Sequence, residues 1–211
     1  MLTTEPNPTR FGSGQAVRRL EDESLLSGAG RYTDDLTLPE QAHLVFLRSS
    51  YPHARILSID TSAAAAMPGV LRVITGAEMA EAGVKPLPGA AGFKRADGSD
   101  SASPPRYAIA HERARFVGEV VAAVVADTVQ QARDAAEAIM VDYEDLPMVV
   151  DLESAIASDA PLLCEEASGN IAAEMRHGSS EAATAAFAKA AHVVALDVHN
   201  QRVVALTIEP R

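Results

Sequence analysis

The sequence predicts a globular fold in which helices and strands are packed in layers. The strongest observation is the unit from Phe116 to Tyr143. Val120–Ala126 is a continuous apolar run, as expected of a strand that is covered on both faces. After this run, apolar residues recur at the spacing of one helix face, and Val141–Tyr143 then begins another extended segment. A strand, a helix and a strand in this order predict an α/β layer.

The composition fits a packed globular protein of one or two domains. The chain has 211 residues, of which 47% are hydrophobic, and it carries a formal net charge of −11. Nucleic-acid binding depends on Lys and Arg that neutralise phosphates, so this charge argues against it. The longest apolar run, Val120–Ala126, is far shorter than the roughly 20 residues of a membrane span. Residues 1–14 lack the apolar core of a signal peptide, and we therefore expect a cytoplasmic protein with no membrane span.

The first 30 residues predict an arm that contains one short helix. The acidic residues Glu21–Glu23 precede Ser24–Leu26, and negative charge in a first turn favours a helix because it faces the positive end of the helix dipole. Gly28 is expected to end the helix, since glycine adopts the left-handed conformation at helix ends without strain.

Short elements then alternate between residues 43 and 83. The alternation of apolar and polar residues in Ile56–Asp60 is typical of a half-buried strand. Three strands are predicted, at His43–Ser49, Ile56–Asp60 and Val70–Thr75. Two short helices are predicted, at 61–67 before Pro68-Gly69 and at Ala77–Ala82 before Gly83.

The helix after the central apolar run is predicted in most detail. Thr128 and Gln131 have the spacing of a capping box, in which each side chain bonds the backbone of the other residue. The apolar residues expected to share one face of this helix are Val129, Ala132, Ala136, Ile139 and Met140.

Residues 85–105 predict a long loop. The segment is rich in proline and glycine, and its apolar residues follow no period. A variable surface insertion is the favoured interpretation. A functional or mobile loop is the alternative, since long loops in compact domains are often one or the other.

The C-terminal quarter of the chain predicts two helices and two strands. The elements are a helix at Asp151–Ala157, a helix at Glu181–Ala191 capped by Ser180, and strands at Val193–Val198 and Val203–Ile208. On the second helix, Ala183, Phe187 and Ala190 are expected to share a face. The chain stops at Glu209–Arg211 with no element after the last strand. Because a strand needs a partner, this end indicates a cut through a larger domain.

The residue types associated with catalysis form no recognisable constellation. Six histidines include no HExxH or HxxxH pair, so a helix-borne zinc site is not predicted. The single cysteine, Cys164, excludes an internal disulfide and a protein-ligated iron–sulfur cluster, which needs several thiolates. No cationic residue is next to Cys164 in sequence, so we interpret it as a small apolar residue rather than a reactive thiol. Neither a GxSxG elbow nor a GxxxxGK[ST] phosphate loop is present.

Two glycine pairs resemble the start of a dinucleotide-binding fingerprint. They are Gly12-Ser13-Gly14 and Gly28-Ala29-Gly30. Both lack the third glycine, and neither follows an apolar strand, so a dinucleotide site is not predicted.

Two groups of polar residues have ordinary explanations. Glu144 and Asp145 are neighbours that would face opposite sides of an extended chain, and a solvated turn is favoured over shared proton chemistry. His192, Asp197 and His199 surround a predicted strand and are interpreted as hydrogen-bonded surface residues. We therefore predict no catalytic, cofactor-binding or metal-ligating residue in this chain.

A series of motifs nevertheless resembles one enzyme family along nearly the whole chain. Gly14–Asp35 has the sequence GQAVRRLEDESLLSGAGRYTDD. It resembles the opening of the large, molybdenum-binding subunit of carbon monoxide dehydrogenase-type enzymes and related molybdenum hydroxylases, which form the xanthine dehydrogenase/aldehyde oxidase family. The other similar segments follow in order: Ser50–Ile56, Ser58–Thr61, Met67–Val70, Phe116–Thr128, Val141–Pro147, Asn200–Arg202 and Glu209–Arg211.

The resemblance implies an α+β fold, in which an α/β hammerhead domain is followed by the truncated start of a molybdopterin-binding domain. It places an N-terminal arm at 1–29, the hammerhead domain at 30–150 and the start of the molybdopterin-binding domain at 151–211. The family's glycine-rich cofactor loops and catalytic glutamate would lie beyond Arg211. The resemblance therefore transfers no catalytic residue to this chain, and the chain by itself is expected to bind no cofactor.

The resemblance also implies a function for the whole enzyme. That enzyme would hydroxylate an aldehyde, an N-heterocycle or carbon monoxide with water-derived oxygen at a molybdenum centre held by molybdopterin. Its partners would be the remainder of the large subunit and the iron–sulfur and FAD-binding subunits that carry electrons away. One alternative is a stand-alone, non-catalytic assembly or scaffold module. Another is an unrelated α/β binding protein whose pocket lies under residues 85–105.

Overall fold

The computed structural model describes residues 19–89, 92–95, 97–175, 177–201 and 203–204. The chain divides by its internal contacts into two units. One unit combines Met1–Pro39 with Leu196–Arg211, and the other comprises Glu40–Ala195. In the described part of the chain, every strand belongs to the second unit.

The first unit contains the short helix that the sequence predicts. Helix α1 spans Asp22–Leu26 and has acidic residues in its first turn. Gly28 follows it with φ of +72°, which is the left-handed conformation expected at a helix end. A single 3₁₀ turn follows at Thr33–Asp35, where the backbone N–H of Tyr32 donates to the Asp35 carboxylate at 2.9 Å. The prediction of a short helix in this arm is confirmed.

The second unit contains two antiparallel sheets of three strands each. The strands are β1 His43–Arg48, β2 Ala54–Asp60, β3 Val70–Thr75, β4 Arg113–Ala114, β5 Val120–Ala126 and β6 Met140–Asp145. The helices are α2 Ser62–Ala65, α3 Gly76–Glu81, α4 Val129–Glu137, α5 Leu152–Ala155 and α6 Ser180–Lys189. The first sheet has the strand order β1-β5-β3, and the second has the order β4-β2-β6. All the strands predicted between residues 43 and 75, and the apolar strand that begins at Val120, are confirmed.

Strand β5 is covered on both faces, as its unbroken apolar run predicts. Val121 and Val124 have no exposed surface, and they point to opposite sides of the sheet. Val124 belongs to a core cluster with residues of α4. Val121 belongs to a second cluster, which it shares with Ile56 of β2. The central strand of the first sheet therefore connects the two halves of the core.

The cap of α4 is only half of the predicted capping box. The Thr128 hydroxyl oxygen accepts the backbone N–H of Gln131 at 3.2 Å, and its own O–H donates to the Gln131 side chain at 2.9 Å. The Gln131 side chain does not bond the Thr128 backbone. It lies instead against Gly69, where a Cβ would approach the Gln131 amide to 2.3 Å. The Gln131 side chain thus packs against Gly69 and does not form the second hydrogen bond of the capping box.

The predicted apolar stripe of α4 is right at its centre and wrong at its ends. Ala132 and Ala136 are buried, and the neighbouring Ala135, which the stripe omitted, is buried as well. Val129 is 39% exposed and Met140 is 73% exposed. Because α4 ends at Glu137, Met140 begins β6 instead of continuing the helix, and it points away from the core.

The segment from 85 to 105 has no helix or regular strand among its described residues, as predicted, but it is anchored. Isolated bridges join Leu87 to Arg106 and Lys94 to Asp100. The guanidinium of Arg95 donates to the carbonyl oxygens of Glu166 and Ile171, at 3.2 and 3.1 Å. These bonds attach the loop to the segment that follows α5, which a free surface insertion would not require.

Two predictions near the C-terminus are wrong in detail. Helix α6 is capped by Ser179 rather than Ser180, because the Ser179 side chain accepts the N–H of Ala182 at 3.2 Å. The predicted strand Val193–Val198 is not formed. Its residues are exposed and pair with no strand in the described part of the chain, so its apolar character alone does not make it a strand. Of the last predicted strand, Val203 and Val204 are not in a strand, and residues 205–208 lie outside the described residues.

Candidate functional site

The turn between β4 and β5 is held in place by the end of β1. Gly118 has φ of +93°, a conformation that favours glycine. Its N–H donates to the carbonyl oxygen of Ser49 at 2.7 Å, and its carbonyl oxygen accepts a bond from the Arg48 guanidinium at 2.8 Å. Within the turn, the Glu119 carboxylate accepts the backbone N–H of Arg115 at 2.6 Å. These bonds fix the backbone positions of Arg115 and Glu119.

A cavity of about 550 Å³ lies between this turn, the loop at residues 85–105 and the segment after α5. Most of its lining is apolar, and Arg106, Arg115 and Glu119 supply its charged groups. The lining residues are Gly89, Ala102, Ser103, Pro104, Pro105, Arg106, Arg115, Phe116, Glu119, Leu163, Cys164 and Ala172. We call this space the Arg115 cavity.

A second cavity of about 440 Å³ is also lined by Arg115 and is more polar. Its lining includes Arg113, His111 and Glu166. The His111 ring stands edge-on to Tyr107 with 4.6 Å between ring centroids, and its Nδ1 is buried without a hydrogen-bond partner among the described residues. Arg115 and Pro105 line both cavities, so the two spaces are neighbours.

Burial sets the protonation of the two weak acids beside Arg115. Burial raises the pKa of Glu119, although the Arg115 backbone N–H and the positive charge of Arg115 oppose this effect. Burial also raises the pKa of the Cys164 thiol, again against a smaller opposing effect of Arg115. A raised thiol pKa means little thiolate at neutral pH. This agrees with the interpretation of Cys164 as a small apolar residue, even though the fold brings Arg115 close to it.

A third group of buried polar atoms surrounds His53. The His53 Nδ1 lies 2.6 Å from the carbonyl oxygen of Pro147, so Nδ1 carries the proton and donates. The His53 carbonyl in turn accepts the N–H of Leu146 at 3.1 Å. Tyr51 and Tyr143 stack beside this joint with 4.6 Å between ring centroids. The His53 Nε2 has no partner among the described residues. The group joins the start of β2 to the end of β6.

The polar residues weighed in the sequence are not brought together as a reactive site. Glu144 and Asp145 lie in strand β6, so the predicted solvated turn is wrong at this point. Glu144 forms an ion pair with Arg55 across the sheet at 2.7 Å, because β2 and β6 place these residues opposite each other. His192 and His199 are exposed and outside any strand. Gly12–Gly14 lies outside the described residues.

The described residues contain neither a metal-ligand cluster nor a membrane-spanning helix. No group of three or more His, Cys, Asp or Glu side chains in this part of the chain is placed to hold a metal ion. No helix in the same residues has the length and apolar character needed to cross a membrane.

Sequence reasoning missed the Arg115 cavity because its walls come from three separate segments. The nearest sequence signals were the Phe116–Glu119 motif and the proline-rich loop at residues 85–105. The loop had suggested a pocket beneath it, and Ala102–Arg106 does line one. Nothing in the sequence indicates that Leu163, Cys164 and Ala172 form the opposite wall.

Two small antiparallel sheets with a helix packed against the first give the second unit an α+β fold. The family model described as "Aldehyde oxidase and xanthine dehydrogenase, a/b hammerhead domain" matches residues 27–147. The chain therefore belongs to the aldehyde oxidase and xanthine dehydrogenase family. The predicted family and the predicted hammerhead fold are both confirmed.

Individual relatives agree with this assignment. The chain is 39% identical over 199 residues to the carbon monoxide dehydrogenase large chain of Afipia carboxidovorans. The aligned region covers 89% of this chain and 23% of that relative. The chain is 35% identical over 208 residues to the nicotine 6-hydroxylase large subunit of Paenarthrobacter nicotinovorans, covering 98% of this chain and 24% of the relative. The chain thus spans about a quarter of the length of these curated relatives.

Solved structures show the same likeness. The crystal structure of the Cu,Mo-CO dehydrogenase in its carbon monoxide reduced state matches with a TM-score of 0.67 and 37% identity, over 85% of this chain and 23% of that one. Quinoline 2-oxidoreductase from Pseudomonas putida matches with a TM-score of 0.55 and 42% identity, over 70% of this chain and 18% of that one.

Proposed function

We propose that this chain supplies the α/β hammerhead part of the large subunit of a molybdenum hydroxylase. The whole enzyme oxidises an aldehyde, an N-heterocycle or carbon monoxide and takes the added oxygen from water. The observation that carries this proposal is the family match over residues 27–147, together with similarity to large chains that act on carbon monoxide and nicotine.

In this proposal the domains run as the motifs indicate. Residues 1–29 form an arm, residues 30–150 the hammerhead domain, and residues 151–211 the start of the molybdopterin-binding domain. Several large apolar side chains of the last segment are exposed, and burial against the rest of a larger assembly would remove them from water. Leu152 is 70%, Ile156 64% and Phe187 64% exposed.

The molybdenum cofactor, molybdopterin, belongs to the whole enzyme in this proposal. In this proposal no residue of this chain is assigned to the cofactor. The proposed partners are the remainder of the large subunit and subunits that carry iron–sulfur clusters and FAD, and the proposed location is the cytoplasm.

The test is to purify the tagged chain from the cells that make it and analyse what accompanies it. We expect molybdenum, iron, flavin and further polypeptides in fixed ratios, and reduction of a dye by an aldehyde or an N-heterocycle. A matched pair of variants checks specificity. Val124→Asp, at a fully buried site, should abolish the complex, whereas Val194→Asp, at a site 89% exposed, should not disturb the hammerhead fold.

The same preparation separates this proposal from the scaffold alternative. A complex that contains partner proteins but neither molybdenum nor pterin would contradict the enzymatic proposal. It would favour a stand-alone, non-catalytic assembly module of hammerhead type.

A further inference from the structure

We propose that the Arg115 cavity binds a small amphipathic carboxylic acid, with its apolar body against the cavity wall and its carboxylate at Arg115 and Arg106. This inference concerns a site formed entirely by residues of this chain. It does not depend on the activity proposed for the whole enzyme.

The size and lining of the cavity suit a small organic molecule. Its volume of about 550 Å³ falls within the range of roughly 300–1,000 Å³ that is typical of ligand pockets. Such pockets are mainly apolar and contain a few polar groups that orient the ligand. Here the apolar residues of the lining include Ala102, Pro104, Pro105, Phe116, Leu163 and Ala172.

The charges at the cavity favour an anion. Arg106 and Arg115 both line it, and Glu119 is the one acidic residue in the lining. One oxygen of the Glu119 carboxylate already accepts the backbone N–H of Arg115 at 2.6 Å. Neither arginine forms an ion pair within 4.0 Å of a described carboxylate. The Arg115 side chain interacts with the Cys164 thiol and with the charge of Glu119, but its Nε is buried without a hydrogen-bond partner among the described residues. A guanidinium group binds a carboxylate through two parallel hydrogen bonds, so a carboxylic acid is the matching ligand.

The walls of the cavity are tied together before any ligand binds. The backbone N–H of Ala102 donates to the carbonyl oxygen of Ala172 at 2.7 Å, which joins the loop wall to the segment after α5. The side chain of Asn170 accepts the N–H of Leu163 at 3.0 Å and donates to the Pro161 carbonyl at 3.0 Å. A cavity whose walls are already ordered loses little entropy when a ligand enters, which favours binding.

Two probes test the proposal on the purified 211-residue chain. The first is 4-(trifluoromethyl)benzoate, whose binding is followed by its fluorine NMR signal. The second is the neutral 4-(trifluoromethyl)benzamide, which has the same ring without the charge. We expect saturable binding of the acid and binding weaker by about tenfold or more for the amide, because a charge-assisted bond to a guanidinium is lost.

Cys164 supplies an independent readout, since it lines the cavity and is the only cysteine of the chain. Saturation with the acid should slow the alkylation of Cys164 by iodoacetamide at mildly alkaline pH. The same concentration of the amide should slow it much less.

Variants locate the binding site. Arg115→Met should weaken binding of the acid by about tenfold or more. Arg113→Met is the matched control, because Arg113 lines the neighbouring cavity only and its substitution should leave the affinity unchanged. Ala102→Phe should block binding by filling the cavity without a change of charge.

Three outcomes would overturn the proposal. They are no saturable binding of the acid, equal binding of acid and amide, and Arg115→Met affinity equal to that of the unmodified chain. If Arg115→Met fails to fold, as judged by circular dichroism, Ala102→Phe and Arg106→Met decide the question. Full affinity in both of those variants would place the ligand elsewhere and reject the site.

Discussion

Strand β5 gives a quantitative test of how the hammerhead core is held together. Val124→Ala removes two methyl groups from a side chain with no exposed surface. At about 0.8 kcal/mol for each buried group of this size, the transfer term is about 1.6 kcal/mol. A cavity term adds to it, because β1 and β3 hold β5 from both sides and the site cannot close easily. The expected loss in the free energy of unfolding is about 2–3 kcal/mol.

Urea unfolding followed by far-ultraviolet circular dichroism measures this loss, because the chain has no tryptophan to serve as a fluorescent probe. The midpoint should fall while the slope stays constant. Val194→Ala is the control, since Val194 is 89% exposed and the same chemical change should cost less than about 0.5 kcal/mol. Val121→Ala should cost about as much as Val124→Ala, because Val121 is equally buried on the opposite face. Equal midpoints for Val124→Ala and Val194→Ala would refute the assignment of β5 to the centre of the core.

Three further predictions concern the turn and the loop at the Arg115 cavity. Gly118→Ala should lower the free energy of unfolding by about 1–2 kcal/mol, because φ is +93° there while the added Cβ meets no other atom. Gly92→Ala, where the added Cβ also meets no atom and no left-handed φ is found, should be neutral in the same urea titration. Equal effects of the two substitutions would contradict this prediction. Burial raises the pKa of Glu119, so its carboxyl group stabilises the fold below its unfolded pKa near 4.5, and this contribution disappears as the pH rises through the folded pKa. The stability of Glu119→Gln relative to the unmodified chain should therefore rise with pH in thermal melts, and a fall with pH would show that the sign is wrong. Arg95→Ala should lower the free energy of unfolding by about 1–3 kcal/mol, because two carbonyl oxygens lose a charged donor. Arg133→Ala, on the exposed surface of α4, is the control and should change this free energy little. An unchanged free energy of unfolding in Arg95→Ala would mean that the loop is not anchored there.

Residues of two motifs that carry the family resemblance form turns and hydrogen bonds that connect elements of the fold. In the Phe116–Glu119 motif, Gly118 supplies the left-handed turn and Glu119 binds the backbone of Arg115. His53 and Pro147 come from two different motifs, and the hydrogen bond between them connects β2 to the end of β6. These residue types are thus explained by backbone geometry and buried hydrogen bonds.

Local sequence signals were sufficient where the local preference and the tertiary environment agree. The apolar run Val120–Ala126 is long enough for a strand and too short for a membrane span, and it forms β5 over the same residues. Thr128 caps α4 because its hydroxyl oxygen can accept an N–H of the first helical turn in any context. Ser179 caps α6 in place of Ser180, since either serine can cap and only the path of the chain decides between them.

The sequence could not decide features that depend on distant partners. Val193–Val198 has the composition of a strand, but a strand requires hydrogen bonds from a neighbour, and the described residues provide none. Met140 has the right spacing to continue the face of α4, but the helix ends at Glu137 and Met140 begins the next strand. At these positions the hydrophobic pattern predicted buried elements, but the contacts made by the folded chain decided which elements form and which side chains are buried.

The sequence by itself determined the family and the central strand and helix. These properties follow from residue order and from interactions within a few residues along the chain. Only the tertiary structure decided that Arg115 and Cys164, nearly fifty residues apart, line one cavity, and that burial raises the pKa of both Glu119 and Cys164. The physical reason is that cavities and desolvation arise from segments brought together by folding, and no short stretch of sequence contains that information.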